Sequence, residues 1–179
     1  MPVAKGGNLT ALQARYLQGT VLHARRYPTC SATIQPTDIF AHILISKDIK
    51  HTIMKGISTV KAPAAIGPYS QAVVSGKLVF VSGQLPIDPA TGNFAEGGIK
   101  ELTRQSLTNM RNILEEAGTG MDHVLKTTVF LADMADFAAM NEVYSEFFSK
   151  PFPARSAVAV KTLPKGALVE AECIAELPE

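Results

Sequence analysis

HVLKTTVFLADMADFAAMNEVYSEFF, His123–Phe148, changes character halfway along. His123 to Ala132 concentrates Val, Thr, Phe and Leu, the composition of a strand. Asp133 then stands where a helix N-cap belongs, and Phe137, Met140, Tyr144 and Phe147 or Phe148 recur at helical spacing. Pro151 and Pro153 stop that helix, and Ala154 to Val160 reads as a strand again. A strand, a helix and another strand therefore succeed one another within 40 or so residues.

The flanking sequence adds to this unit on both sides. Upstream, Lys100 to Ala117 sets Leu102, Leu107, Met110, Ile113, Leu114 and Ala117 on one helical stripe, with Lys100, Glu101, Arg104, Arg111 and Glu115 off it and Gly118 as the stop. Earlier still, Val73-Val74 and Leu78 to Val81 flank Ser75-Gly76-Lys77 as a hairpin, and Pro86, Asp88-Pro89 and Thr91-Gly92-Asn93 turn its end into a loop. Downstream, a Pro164-Lys165-Gly166 turn leads into Ala167 to Leu177, where Val169, Ala171, Cys173 and Ala175 alternate with Glu170, Glu172, Ile174 and Glu176. The order β-β-α-β-α-β-β predicts an α+β fold, two helices on one face of a mixed sheet. The other face keeps Val, Phe and Ala, and that apolar surplus predicts a partner, most simply further copies of the chain.

The 179 residues are 46% hydrophobic and 18% charged, enough for one sizeable core and unlike a collagen, coiled coil or disordered chain. Net charge is +1, but it is unevenly spread. Residues 1–53 hold six basic and two acidic residues, giving +4, whereas 54–179 hold eleven and fourteen, giving −3. The domain at 54–179 thus offers no broad positive field for nucleic acid. Residues 1–53 form a basic N-terminal extension, expected to be solvated or disordered, that fits two descriptions. It is either a mitochondrial or plastid transit peptide, acid-free through residue 37 but poor in serine, or an upstream extension ahead of a start at Met54. His23, His42 and His51 lie there without metal-ligand spacing, and Ile39 to Ser46 is too short to span a bilayer. Cys30 and Cys173 are too few for a disulfide framework, so a reducing compartment, the cytoplasm, is expected in the absence of a transit peptide.

No Gly-rich phosphate loop, nucleophile motif or metal cluster stands out, and His123 reads as a surface or capping residue. What remains is polar residues at strand ends. Arg155 offers a guanidinium fork for a carboxylate, or an ion pair with Glu170 or Glu172. Ser82-Gly83-Gln84 permits a close ligand approach, or forms an ordinary bulge. Glu170 and Glu172 share a face, as a water-holding base or as protective edge charge. Tyr69 is a ligand donor or a core tyrosine, and Asn141 is a buried hydrogen-bonding residue or a solvated one.

Four words in register narrow these choices: Ala64-Ala65-Ile66-Gly67-Pro68-Tyr69-Ser70-Gln71, Val81-Ser82-Gly83-Gln84-Leu85-Pro86, Lys126-Thr127-Thr128-Val129-Phe130-Leu131 and Pro153-Ala154-Arg155-Ser156. Together they resemble the RidA family, also called YjgF/YER057c/UK114, the reactive intermediate imine deaminases, over about Lys61 to Leu177. The resemblance implies a chorismate-mutase-like homotrimer with sites in the clefts between subunits, needing neither metal nor organic cofactor. It implies hydrolysis of 2-iminoacids derived from 2-aminoacrylate and 2-aminocrotonate, that is 2-iminopropanoate and 2-iminobutanoate, to 2-ketoacids and ammonia. By the same resemblance Arg155 binds the substrate carboxylate and Glu170 serves the attacking water, with Glu172 as its neighbour. Tyr69, Ser82 and Gly83 match pocket positions, and Asn141 matches one near the subunit interface. Ala157 stands where the family frequently has cysteine; its backbone N–H still suits a carboxylate, but it offers no thiol. Relatives are also described as endoribonucleases or translation inhibitors, and a non-enzymatic trimer that binds small carboxylates would use the same grip.

Overall fold

The computed structural model describes residues 54–179. Both readings of residues 1–53 lie outside the described residues, as do Cys30, His23, His42 and His51. Six strands form one sheet: β1 (Lys55–Ile57), β2 (Ala72–Ser75), β3 (Leu78–Gln84), β4 (Val124–Leu131), β5 (Ala154–Ala159) and β6 (Val169–Glu176), in the spatial order β1-β2-β3-β6-β4-β5. Every neighbouring pair is antiparallel except β4 and β5, which run parallel. A parallel pair needs a crossover, and α2 (Phe137–Phe147) supplies it. The other helix, α1 (Ile99–Ala117), connects β3 to β4.

The α+β architecture and all five expected strands are present, and β1 is a sixth that the sequence did not signal. Lys55-Gly56-Ile57 is too short to alternate, and only pairing with Ala72–Val74 makes it a strand. Asp133 caps a single helical turn, Met134–Asp136, by accepting from the Ala135 N–H at 2.9 Å, and α2 follows. His123 ends another such turn just before β4. Gly118 closes α1 with φ 89°, a left-handed conformation glycine adopts without steric cost.

The expected α1 stripe of Leu102, Leu107, Met110, Ile113 and Leu114 is buried against Val79, Val81, Ala171, Cys173 and Ala175 of the sheet. Burying a side chain of this size contributes about 1.5–3 kcal/mol, so this layer supplies much of the core. Two rungs tie the helices on their outer side: Lys100 to Glu142, and Arg104 to Glu146 at 2.8 Å. The opposite sheet face carries Phe80, 39% exposed, and Val158, 46% exposed.

Candidate active site

A cleft of about 580 Å³ opens beside the end of β3, lined by Tyr69, Ser82, Gly83, Lys165 and Glu170 together with apolar residues such as Ile66 and Leu85. Its geometry begins with an interruption in the β3–β6 ladder. Val81 pairs with Cys173 and Gln84 with Ala171, so Ser82 and Gly83 together oppose Glu172 alone. This is a bulge, and it re-aims Ser82 and Gly83 toward the cleft. The Ser82 hydroxyl donates to the Ser70 carbonyl at 2.7 Å, and the Ser82 N–H to the Gln71 carbonyl at 3.0 Å. These two bonds fix Tyr69 beside the bulge. Tyr69 is 51% exposed, so it belongs to the rim of the cleft and not to the core.

Gly83 is needed for space. A Cβ built there would overlap the Glu170 carboxylate, lying 2.8 Å from Glu170 Cδ. The bare backbone lets that carboxylate rest against the bulge. Burial raises the Glu170 pKa above the ordinary carboxylate value, and the charge of Glu172 raises it further. Reading these two acids as edge charge is corrected by the topology, since β6 lies inside the sheet between β3 and β4.

Three buried amides hold the walls of the cleft, and sequence reasoning singled out neither Gln71 nor Asn109. Gln71, 2% exposed, accepts from the Thr59 N–H and donates to the carbonyls of Thr59, Ala62 and Pro63. Asn109 on α1 donates to the Leu85 and Ile87 carbonyls at 3.1 and 2.8 Å. Gln84 donates to the Ser82 carbonyl at 2.9 Å, within the bulge. Their partners lie up to 24 residues away in the chain, which no local pattern reveals.

Arg155 lies elsewhere. On β5, an edge strand, it pairs with Thr127 of β4, which in turn pairs with Cys173 of β6. Side chains of such in-register partners point to one face, here the helix-covered one where Thr127 and Cys173 are buried. Glu170 pairs with Phe130, and Phe130 with Val158, on the open face. One chain therefore places Arg155 and Glu170 on opposite faces of its sheet. The alternative ion pair from Arg155 to Glu170 or Glu172 is absent among the described residues.

Instead the Arg155 guanidinium rests over two rings, 4.4 Å from the centroid of Tyr144 and 5.6 Å from that of Phe137. Tyr144 is buried and its hydroxyl is 2.8 Å from that of Thr127, in a bond either group can donate. The aromatic stripe of α2 thus doubles as a floor for the cation, a use its spacing did not announce. No hydrogen bond of the Arg155 fork to protein occurs among the described residues, which leaves its N–H groups for an anion. Ala157 follows two residues along the same face and packs against the core. Asn141 is exposed on α2, away from the Glu170 cleft. Cys173 does not replace the thiol absent at Ala157, because it is buried and its pKa is pushed up to about 12.

Comparison with known proteins bears on the whole of this domain. The endoribonuclease L-PSP family profile matches residues 59–177. A 2-iminobutanoate/2-iminopropanoate deaminase of Capra hircus is 54% identical over 119 residues, covering 66% of this chain and 87% of that protein. The crystal structure of RidA from the Antarctic bacterium Psychrobacter sp. PAMC 21119 is 47% identical with a TM-score of 0.66, over 69% of this chain and 99% of that one. That of E. coli TdcF with bound serine is 43% identical with a TM-score of 0.66, again over 69% and 99%. Profile, identity and superposition coincide on the sheet and helices that carry Arg155 and Glu170, and the chain belongs to the endoribonuclease L-PSP family, that of RidA and YjgF.

Proposed function

We propose that this protein hydrolyses 2-iminoacids such as 2-iminopropanoate and 2-iminobutanoate to the 2-ketoacid and ammonia, in clefts completed by two copies of the chain. The observation that carries the proposal is the division of the site. An unpaired guanidinium suited to a carboxylate and a partly buried carboxylate suited to water are both built, on opposite faces of one sheet. A small substrate meets both only if Arg155 of one copy faces Glu170 of another. The open face of the sheet exposes Phe80 and Val158, which supports such an assembly, and a homotrimer is the expected closed form. The goat relative's name carries the same reaction.

The chemistry then follows from the side chains. The Arg155 fork takes the substrate carboxylate in two parallel bonds and so fixes the imine carbon next to it. Glu170 removes a proton from water as the oxygen attacks that carbon, giving a carbinolamine. That proton goes to the nitrogen, and Glu170 then takes the carbinolamine hydroxyl proton and delivers it to the same nitrogen as the C–N bond breaks, so that ammonia and the ketoacid leave. Ser82 has committed its proton to Ser70, so its oxygen is free to accept from the imine N–H. Tyr69 donates at the rim. The test is ketoacid release from the imine formed by a serine or threonine dehydratase, trapped chemically in competition with spontaneous hydrolysis. Faster release with the protein supports the reading, and an unchanged rate removes it in favour of a carboxylate-binding assembly. Among the described residues that line the cleft Lys165 is the sole cation, a poor match to an RNA backbone despite the family's ribonuclease name.

Two consequences are measurable. Gly83→Ala must displace the Glu170 carboxylate, so kcat falls by about tenfold or more while the melting temperature changes little. A variant that melts normally and turns over at the wild-type rate removes the contact between Gly83 and Glu170 from the mechanism. Since burial and then Glu172 raise the Glu170 pKa, the acidic limb of kcat/KM lies above the ordinary carboxylate value of 4.5. In Glu172→Gln that limb moves down, because a base whose pKa drops becomes active at lower pH. A limb that stays in place assigns it to another group.

A further inference from the structure

The Pro164–Gly166 turn puts a lysine where glycine would be free. The Gly166 N–H bonds to the Leu163 carbonyl at 3.1 Å, closing a four-residue turn with proline second and Lys165 third. Lys165 has φ 57° and ψ 15°, and the third position of a turn with positive φ is ordinarily filled by glycine or asparagine. A long cationic side chain held there in a left-handed conformation points to a use for that side chain. Lys165 lines the same cleft as Glu170, and these two are the only charged residues among the described residues that do so. They do not neutralise each other. No ion pair joins them, and burial and Glu172 alone perturb Glu170.

We infer that Lys165 forms a second anion subsite, so that the cleft accepts 2-iminoacids whose side chain ends in a carboxylate, such as 2-iminoglutarate. The inference rests on the deaminase reading above. In it the partner copy's arginine side holds the α-carboxylate, Glu170 serves the imine carbon, the apolar wall of Ile66 and Leu85 follows the methylene chain, and the Lys165 ammonium meets the distal carboxylate. The chemistry is the same hydrolysis: water adds, the C–N bond breaks, and 2-oxoglutarate and ammonia leave.

The test compares 2-iminoglutarate, formed from L-glutamate by an amino-acid oxidase, with 2-iminobutanoate, formed from 2-aminobutyrate in the same way. Lys165→Gly is the variant of choice, because glycine keeps the positive φ and relieves the turn. Its kcat/KM for 2-iminoglutarate is expected to fall by about tenfold, the size of one charge-assisted hydrogen bond, with less than about a twofold change for 2-iminobutanoate. Lys165→Glu should widen the gap. Equal losses on both substrates place Lys165 at the shared α-carboxylate and overturn the inference, as does an unchanged ratio. Wild-type turnover of 2-iminobutanoate without 2-iminoglutarate overturns it while leaving the deaminase reading intact, and no turnover of either removes both.

Discussion

Arg155→Ala should lower kcat/KM for 2-iminopropanoate by at least about thirtyfold, because truncating one member of a bidentate charge pair costs about 2–5 kcal/mol. The same change should leave the fold nearly intact. Arg155 sits at a sheet edge, makes no ion pair among the described residues, and contributes chiefly its stack on Tyr144 and Phe137. Such a stack is worth about 0.5–2 kcal/mol, so the melting temperature drops by about 10 °C at most. Arg155→Lys separates charge from shape. Lysine keeps the positive charge but loses the planar fork, and should recover only part of the activity. Full activity in Arg155→Ala would remove the carboxylate grip altogether, whatever the fate of Glu170.

Glu170→Gln should reduce kcat by about 10²–10⁴, the range for loss of a positioned general base, with little change in the affinity for a 2-ketoacid. Stability should move in the opposite sense to activity. The folded pKa of Glu170 is raised, so its favourable contribution is complete below the unfolded pKa and is lost as pH rises through the folded value. Above that value the ionised carboxylate is therefore a cost to the fold, and a neutral amide of the same shape relieves it. Glu170→Gln should melt at or above the wild-type temperature. An inactive variant that also melts early would point to a structural role for Glu170.

The fold was largely legible because its elements repeat at the right periods. The Leu102–Leu114 stripe, the Val169–Ala175 alternation and the Asp133 boundary all sit in single local windows, and each is realised. β1 escaped because three residues carry no period. The site was legible only in part. Arg155, Glu170, Ser82, Gly83 and Tyr69 stand out as polar residues at strand ends, but their division between two faces depends on how β4, β5 and β6 register against one another. Alternation within a strand fixes which residues share a face, not which face it is. Gln71 and Asn109 were invisible for a related reason: an amide among apolar neighbours looks the same whether it holds a distant loop or faces water. Tyr144 was visible as core, and its ring meets Arg155 only because the crossover helix returns over the edge strand.

The division of the site between copies can be measured by combining the two variants. Arg155→Ala and Glu170→Gln chains, each inactive alone, are co-expressed in equal amounts so that mixed assemblies form. In a ring whose every cleft takes Arg155 from one copy and Glu170 from its neighbour, roughly a quarter of randomly assembled clefts contain both intact residues. Turnover of 2-iminopropanoate should therefore return to roughly a quarter of the wild-type value. Mixed assemblies no more active than the separate variants would contradict a site shared between copies, and would require Arg155 and Glu170 to act within one chain or not to act together at all.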